Sequence, residues 1–308
     1  MHGIATKTTV TEDPQVKRRR AAPTPVVPRE SAFGCPRDFL NNRFVYAVLS
    51  PRAHGLSVGV NMNPDRKCDF DCIYCEVNRN QPPLERSLVT AVMAAELERT
   101  LAYVTSPEFR ETGPYRNLPE ELLRLHHVTI SGDGEPTLAP NFAEAVREIV
   151  HVRAVGRLPF FKLVLITNCS GLDRPEVQQG IKLLTRADEI WVKLDGGTQE
   201  YLNKVNRPDA VPLEKILANI LLIAKQRPVV VQSLFPAING AEPLAEEIEE
   251  YAMRLRELKQ AGAQISLVQI YSATRPIQNV GCGHLPLRSL SRIAQVVRLV
   301  SGLKAEVF

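Results

Sequence analysis

The sequence predicts an α/β fold built on a parallel sheet. Short runs of β-branched residues alternate with amphipathic helical patterns from about residue 40 to the C-terminus. Strand alternating with helix favours parallel strands joined by right-handed crossovers. Polar or glycine-rich residues stand directly after most of the strands, where folds of this class gather their functional loops. Six strands are enough for an incomplete barrel or for an open doubly wound sheet, and periodicity alone does not choose between them.

Residues 1–35 precede the first element. Lys7, Lys17, Arg18, Arg19, Arg20 and Arg29 stand there against Glu12, Asp13 and Glu30, so +3 of the chain's net charge of +4 lies in this segment. Pro14, Pro23, Pro25 and Pro28 interrupt it, and it holds little that could enter a core. It reads as a disordered basic tail ahead of one domain, residues 36–308. Phe44–Ser50 is the expected first strand, and the helical pattern Leu88–Val104 follows a long cysteine-bearing stretch. The alternation then runs strand Val128–Ser131, helix Phe142–Val155, strand Phe161–Thr167, helix Pro175–Arg186 and strand Glu189–Leu194. It continues with helix Leu213–Gln226, strand Pro228–Ser233, helix Leu244–Ala261 and strand Ile265–Tyr271. The amphipathic stretch Leu290–Val300 closes the domain as a helix. The segments after the strands, Gly132–Glu135, Asn168–Cys169, Asp195–Gly197, Phe235–Pro236 and Ser272–Pro276, are expected to converge on one rim.

Composition excludes several classes. Hydrophobic content of 44% and charged content of 23% are those of a globular chain, not of a disordered one. The longest apolar stretch, around Ile216–Ala224, is far short of the roughly 20 residues of a membrane span, so no membrane partner is expected. The N-terminus lacks the apolar core of a secretory signal, and six cysteines in 308 residues are too few for a disulfide scaffold. A reducing, cytoplasmic setting is expected. Beyond the tail, 32 basic and 31 acidic residues nearly balance, leaving no global electrostatic footprint for nucleic acid. The run Arg18–Arg20 is a candidate nucleic-acid contact, with a solvated tail as the plainer reading.

The chemistry-bearing segment is Lys67-Cys68-Asp69-Phe70-Asp71-Cys72-Ile73-Tyr74-Cys75-Glu76. Three thiols spaced four and three apart can wrap one inorganic centre from a single loop. The same spacing is a helical stripe of small hydrophobes, but no stripe continues past Cys75. Zinc held by the three cysteines and a histidine such as His54 is the stronger rival, although structural zinc sites usually come as two C-x₂-C pairs. The remaining reading is an iron–sulfur cluster with one iron left without a protein thiolate.

This C-x₃-C-x₂-C motif resembles that of the radical S-adenosylmethionine (SAM) family. The resemblance implies a partial (β/α)₆ TIM-like barrel of the radical SAM type, a [4Fe-4S] cluster on Cys68, Cys72 and Cys75, and SAM on the open iron. It implies an enzyme that cleaves SAM reductively to a 5′-deoxyadenosyl radical acting on an unidentified substrate, with an electron donor such as flavodoxin or ferredoxin. By the same resemblance Tyr74 lies beside the adenine, and Gly134 and Glu135 of Gly132-Asp133-Gly134-Glu135-Pro136 receive the amino group. Asn168 and Asp195, in Thr167-Asn168 and Lys193-Leu194-Asp195, lie near the carboxylate and ribose. Asp133 replaces the first glycine of the family's usual triplet. The resemblance covers roughly residues 44–275.

Within the family, Ser57-Val58-Gly59-Val60-Asn61, the Gly134–Thr137 run and Asn206-Arg207-Pro208 resemble predicted iron–sulfur oxidoreductases related to wyosine-type tRNA-modifying enzymes. A tRNA is therefore one candidate substrate. Only Cys35 lies upstream of the triad, whereas wyosine synthases carry a second cluster-binding cysteine set there. A zinc-stabilised α/β binding module is the non-enzymatic alternative. Cys282, between Gly281 and Gly283 and two residues before His284, is a candidate hydrogen-atom donor to a substrate radical, expected on the same rim.

Overall fold

The computed structural model describes residues 38–308 except Leu84, Thr112, Arg275, Pro276 and Gln278. The expected tail, with Arg18–Arg20 and Cys35, lies outside the described residues. The strands are β1 (Val45–Ser50), β2 (Gly55–Asn61), β3 (Leu125–Ser131), β4 (Lys162–Thr167), β5 (Glu189–Lys193), β6 (Val229–Leu234), β7 (Ala237–Ile238), β8 (Ile265–Tyr271), β9 (Cys282–Gly283) and β10 (Ala305–Val307). The helices are α1 (Thr90–Val104), α2 (Pro107–Glu111), α3 (Glu120–Leu123), α4 (Phe142–Ala154), α5 (Pro175–Ile181), α6 (Gln199–Val205), α7 (Leu213–Ala224), α8 (Ala245–Gln260) and α9 (Leu287–Ser301).

One sheet runs in the order β1-β2-β3-β4-β5-β6-β8-β10. All neighbours are parallel except β1, which pairs antiparallel with β2. The order never reverses, so the sheet has no switch point of the doubly wound kind. Helices α1, α4, α5, α7, α8 and α9 share one core with one face of the sheet. The six units that begin at β2, β3, β4, β5, β6 and β8 make the partial (β/α)₆ barrel.

The period of two along each strand separates the faces. Leu163, Leu165, Ile190, Val192, Val229, Val231, Val268 and Ile270 pack in the core under the helices. Val164, Trp191 and Val230, with Ile166 and Leu267, form a separate apolar layer inside the barrel. The interior is polar elsewhere: Ser57 bonds Thr129 at 2.7 Å, and Gln232 donates to Gln269 at 2.9 Å. The two ends of the sheet meet through side chains, with the His54 ring 5.7 Å from that of Phe308, just after β10.

The main correction to the sequence reading is at the start. Phe44–Ser50 is a strand but not the first barrel strand; that is β2, and the cysteine loop follows β2. Gly55, Ser57 and Gly59 dilute the apolar pattern of β2. Gly59 is required because the ring of Tyr46, its partner across the hairpin, lies where a side chain would be: a Cβ there would stand 2.1 Å from it. The expected helix Pro175–Arg186 stops at Ile181. There the Asp188 carboxylate accepts from Thr185 N at 2.7 Å and Thr185 Oγ1 at 2.9 Å, turning the chain toward β5. The short helix α6 was not expected; Thr198 caps it by accepting from Tyr201 N at 3.1 Å. The closing strand β10 was not expected either.

Asp188 also accepts from Leu163 N at 2.8 Å and from both Arg153 Nη atoms at 2.6 and 3.1 Å, tying α4 to β4 and β5. Burial alone would raise its pKa, but Arg153, Leu163 and Thr185 outweigh that and hold it below the ordinary carboxylate value. Its stabilising contribution is therefore present above the ordinary carboxylate range and is lost as pH falls through the lowered value. Asp188→Ala is expected to cost about 3–5 kcal/mol, because the Arg153 charge stays buried without its partner. Urea unfolding at neutral pH checks this, and a loss under 1 kcal/mol would contradict it. Among the described residues no helix is long and apolar enough to cross a membrane.

Candidate active site

Between β2 and α1 lies a stretch without helix or strand that carries the three cysteines. The end of α6 and the residues just after it, 205–209, strap it down. Ile73 N donates to Val205 O at 2.9 Å, Asp71 N to Arg207 O at 3.2 Å and Asp209 N to Asp69 O at 2.7 Å. The run Asn206-Arg207-Pro208, noted in the sequence without a role, is thus the backbone support of the cysteine loop.

Cys68, Cys72 and Cys75 are free and half-buried, and all three line one cavity of about 580 Å³. That volume is within the range of small-molecule sites. Burial pushes the Cys68 thiol up to about 11 and the Cys72 thiol up to about 12. Donors reach two of the sulfurs: Asn206 Nδ2 lies 3.4 Å from Cys72 Sγ and Arg79 Nη2 3.7 Å from Cys75 Sγ. Among the described residues no three His, Cys, Asp or Glu side chains group as a site for a metal ion. His54, the fourth zinc ligand considered from the sequence, is packed on Phe308 and does not line the cavity.

The ends of the parallel strands supply the rest of the wall. Gly134 lines the cavity, and its turn rests on the cysteine loop so closely that a Cβ would stand 1.8 Å from Lys67 O. The glycine is needed for that approach, whatever it does toward a ligand. Asn61 fixes the turn from below, donating to Asp133 Oδ2 at 3.0 Å and accepting from Asp133 N at 3.0 Å. Asp133 in the first glycine's place is therefore part of a closed pair with the end of β2.

Glu135 is buried, with 2% exposure, yet lines the cavity. Its Oε1 accepts from Thr137 N at 3.0 Å, Thr137 Oγ1 at 2.6 Å and Thr167 Oγ1 at 2.6 Å, and its Oε2 from Asn168 N at 2.6 Å. A carboxylate has about four lone-pair sites, two on each oxygen, so Oε2 retains one acceptor direction. Burial outweighs these donors and raises its pKa to about 6. Asn168 also lines the cavity and donates to Asp69 Oδ1 at 2.8 Å, linking the end of β4 to the cysteine loop.

Asp195 differs from its expected place. It is fully buried behind the wall and is not among the lining residues. Both its oxygens are committed: Oδ1 to Leu234 N at 2.8 Å and Lys193 Nζ at 3.0 Å, Oδ2 to Asn206 Nδ2 at 2.7 Å and the Tyr74 hydroxyl. It acts on the site by holding Tyr74. The residue that faces the cavity is Lys193, two positions earlier and on the inner face of β5 with Trp191. Burial would lower the Lys193 pKa, but Asp195 and Tyr271 outweigh it and raise it. Strand parity counted from Trp191 was the signal for Lys193. Tyr74 lines the cavity as expected, its ring 5.0 Å from Lys193 Nζ.

Cys282 is not a lining residue. It belongs to β9, paired with β7, and packs in a small apolar cluster with Ile73, Tyr201 and Val205. Burial pushes its thiol up. The loop after β8 lines the cavity through Ser272, Ala273, Thr274 and Ile277, but at Cys282 it folds into a two-stranded ribbon, and His284 beside it is exposed. Cys282→Ala is expected to cost about 1 kcal/mol of stability and to leave SAM-dependent product formation unchanged. SAM turnover retained with product lost would restore the hydrogen-donor role.

Comparison with known proteins gives this geometry a family. The model of the radical SAM superfamily matches residues 62–243, from the end of β2 to the start of α8. A UPF0026 protein of Helicobacter pylori is 26% identical over 236 residues, covering 74% of this chain and 67% of that one. The fold is similar to a TYW1 structure with a lysine–pyruvate adduct bound, at TM-score 0.55, 14% identity and 85% coverage of each chain. It is also similar to Streptococcus suis SuiB bound to S-adenosylmethionine, at TM-score 0.53 and 13% identity, covering 84% of this chain and 52% of that one. The resemblance carried by the cysteine motif is borne out: the chain belongs to the radical SAM superfamily and is an enzyme of that class.

Proposed function

We propose that Cys68, Cys72 and Cys75 hold a [4Fe-4S] cluster and that the cavity beside them takes SAM and a substrate. The supporting observation is three unbridged thiols on the wall of one cavity, with Asn206 and Arg79 donors at two of the sulfurs. These residues fit the group: thiolate sulfurs ligate such clusters and accept hydrogen bonds of this kind. Since Cys68 and Cys72 are held as thiols, loading releases protons and is favoured by higher pH. When bound, cluster and SAM supply reductive cleavage to a 5′-deoxyadenosyl radical, with the electron coming from a donor such as flavodoxin or ferredoxin.

The chain's own residues bind and orient. Tyr74, fixed by Asp195 and Asn206, offers a flat face to the adenine. Glu135 Oε2 accepts from the ammonium, and Asn168 borders the ligand while keeping the loop in register. Gly134 keeps backbone, not side chain, at the cavity wall. Ile166 and Leu234 line its inner side and keep it apolar. The narrower reading, modification of a tRNA base in a cytoplasmic setting, is supported by the branch resemblance and the basic composition of residues 1–34. Its RNA binding would weaken steeply with salt. Anaerobic purification and reconstitution test the main reading. Iron and sulfide, a brown colour bleached by dithionite, and 5′-deoxyadenosine formed from SAM are expected; colourless protein carrying zinc would overturn it.

A further inference from the structure

Arg52 sits in the turn between β1 and β2 and lines the same cavity. Its guanidinium carbon lies 4.0 Å from the centre of the Tyr271 ring, at the end of β8. Lys193 approaches the same tyrosine, with Nζ 2.9 Å from the phenol oxygen. The two cations differ in one respect. Lys193 is neutralised by Asp195 at 3.0 Å. Among the described residues the Arg52 side chain makes no ion pair or hydrogen bond, and its Nε is buried without a partner.

Among the described residues no carboxylate of the cavity wall pairs with it. Its acidic lining residues are Glu76 and Glu135. Glu135 is engaged by Thr137, Thr167 and Asn168, and Glu76 has an interaction of its own. A partly desolvated guanidinium facing a cavity without a counter-charge is costly unless an anion completes it. The Tyr271 ring also fixes the guanidinium plane, so its fork of donors is presented in one orientation, suited to an oxyanion. Arg52 stands apart from the cysteine loop: Tyr271 and Lys193 intervene between it and Tyr74.

We propose that Arg52 is the anion-recognition residue of the substrate subsite, and that the substrate is a small molecule bearing a carboxylate or a phosphate monoester. Small size follows from the volume, since about 580 Å³ must also hold SAM. The proposal rests on the SAM-site reading above and deepens it.

The test uses the reconstituted, SAM-loaded protein and calorimetric titration with malonate, succinate and glycerol 3-phosphate. At least one is expected to bind saturably at millimolar concentration or below, and the preferred probe distinguishes carboxylate from phosphate. Arg52→Met should weaken that binding at least tenfold. Arg52→Lys, with the charge but not the fork, should fall between. SAM affinity should stay within twofold in both, which also shows that the variants are folded. Absence of binding by all three probes to the unaltered protein, or equal binding to Arg52→Met, overturns the proposal. Loss of tRNA binding in Arg52→Met with small-anion binding intact overturns it in favour of nucleic acid. If the unaltered protein binds the anions through Arg52 but fails to bind SAM, the SAM reading falls and the anion subsite stands.

Discussion

Replacing any one of Cys68, Cys72 or Cys75 with alanine is expected to abolish a stable cluster and, with it, all SAM cleavage. The loop carries no spare thiolate, and the nearest alternatives are poorly placed. Cys169 is fully buried, with its Sγ against the carbonyls of Thr167 and Lys193, and Cys282 is enclosed in its apolar cluster. The fold should survive, because the loop is held by backbone bonds to Val205, Arg207 and Asp209 and not by the thiols. Iron and sulfide content, the visible spectrum and 5′-deoxyadenosine yield are the readouts, with circular dichroism as the control. A triple-alanine protein that still cleaved SAM would end the radical reading. Cys35→Ala, by contrast, should leave cluster and cleavage nearly intact.

Glu135 carries the second large effect, and two substitutions separate its two duties. Glu135→Ala leaves the donors of Thr137, Thr167 and Asn168 buried without an acceptor, at about 1–3 kcal/mol each. It also removes the carboxylate from the ammonium, so SAM affinity should fall roughly tenfold or more. Glu135→Gln can keep an oxygen toward Thr137 and Thr167, so most of the stability should return while SAM affinity stays low. Cluster content should be unchanged in both. A glutamine variant that binds SAM as the native protein does would leave Glu135 as an internal cross-brace of β3 and β4 only.

Glu135 and Asp195 are carboxylates that follow β3 and β5, the strands on either side of β4, and each is committed to chain donors before any ligand arrives. They differ in what is left over. Glu135 lies on the cavity wall with an acceptor direction to spare, whereas Asp195 lies behind it with both oxygens taken. Their positions in sequence, each just after a strand, do not distinguish them.

The sequence by itself determined the alternation of strands and helices, the cysteine loop and the family. These are local signals: β-branched runs, helical periodicity, and three thiols close enough in the chain to act together. It also carried Gly134, Glu135 and Asn168 to the cavity wall, since residues directly after parallel strands converge on one rim whatever the packing between them. Three outcomes required tertiary contacts. Barrel rather than doubly wound sheet follows from strand order, which no single strand encodes. β2 was hidden because its glycines and serine are chosen for the Tyr46 ring and for a polar barrel interior, not for an apolar stripe. The sites of Arg52, Lys193, Asp195 and Cys282 depend on which side of the wall each side chain falls. That was set by strand parity, by the return of the β1–β2 turn onto Tyr271, and by the pairing of β7 with β9, contacts between residues far apart in the chain.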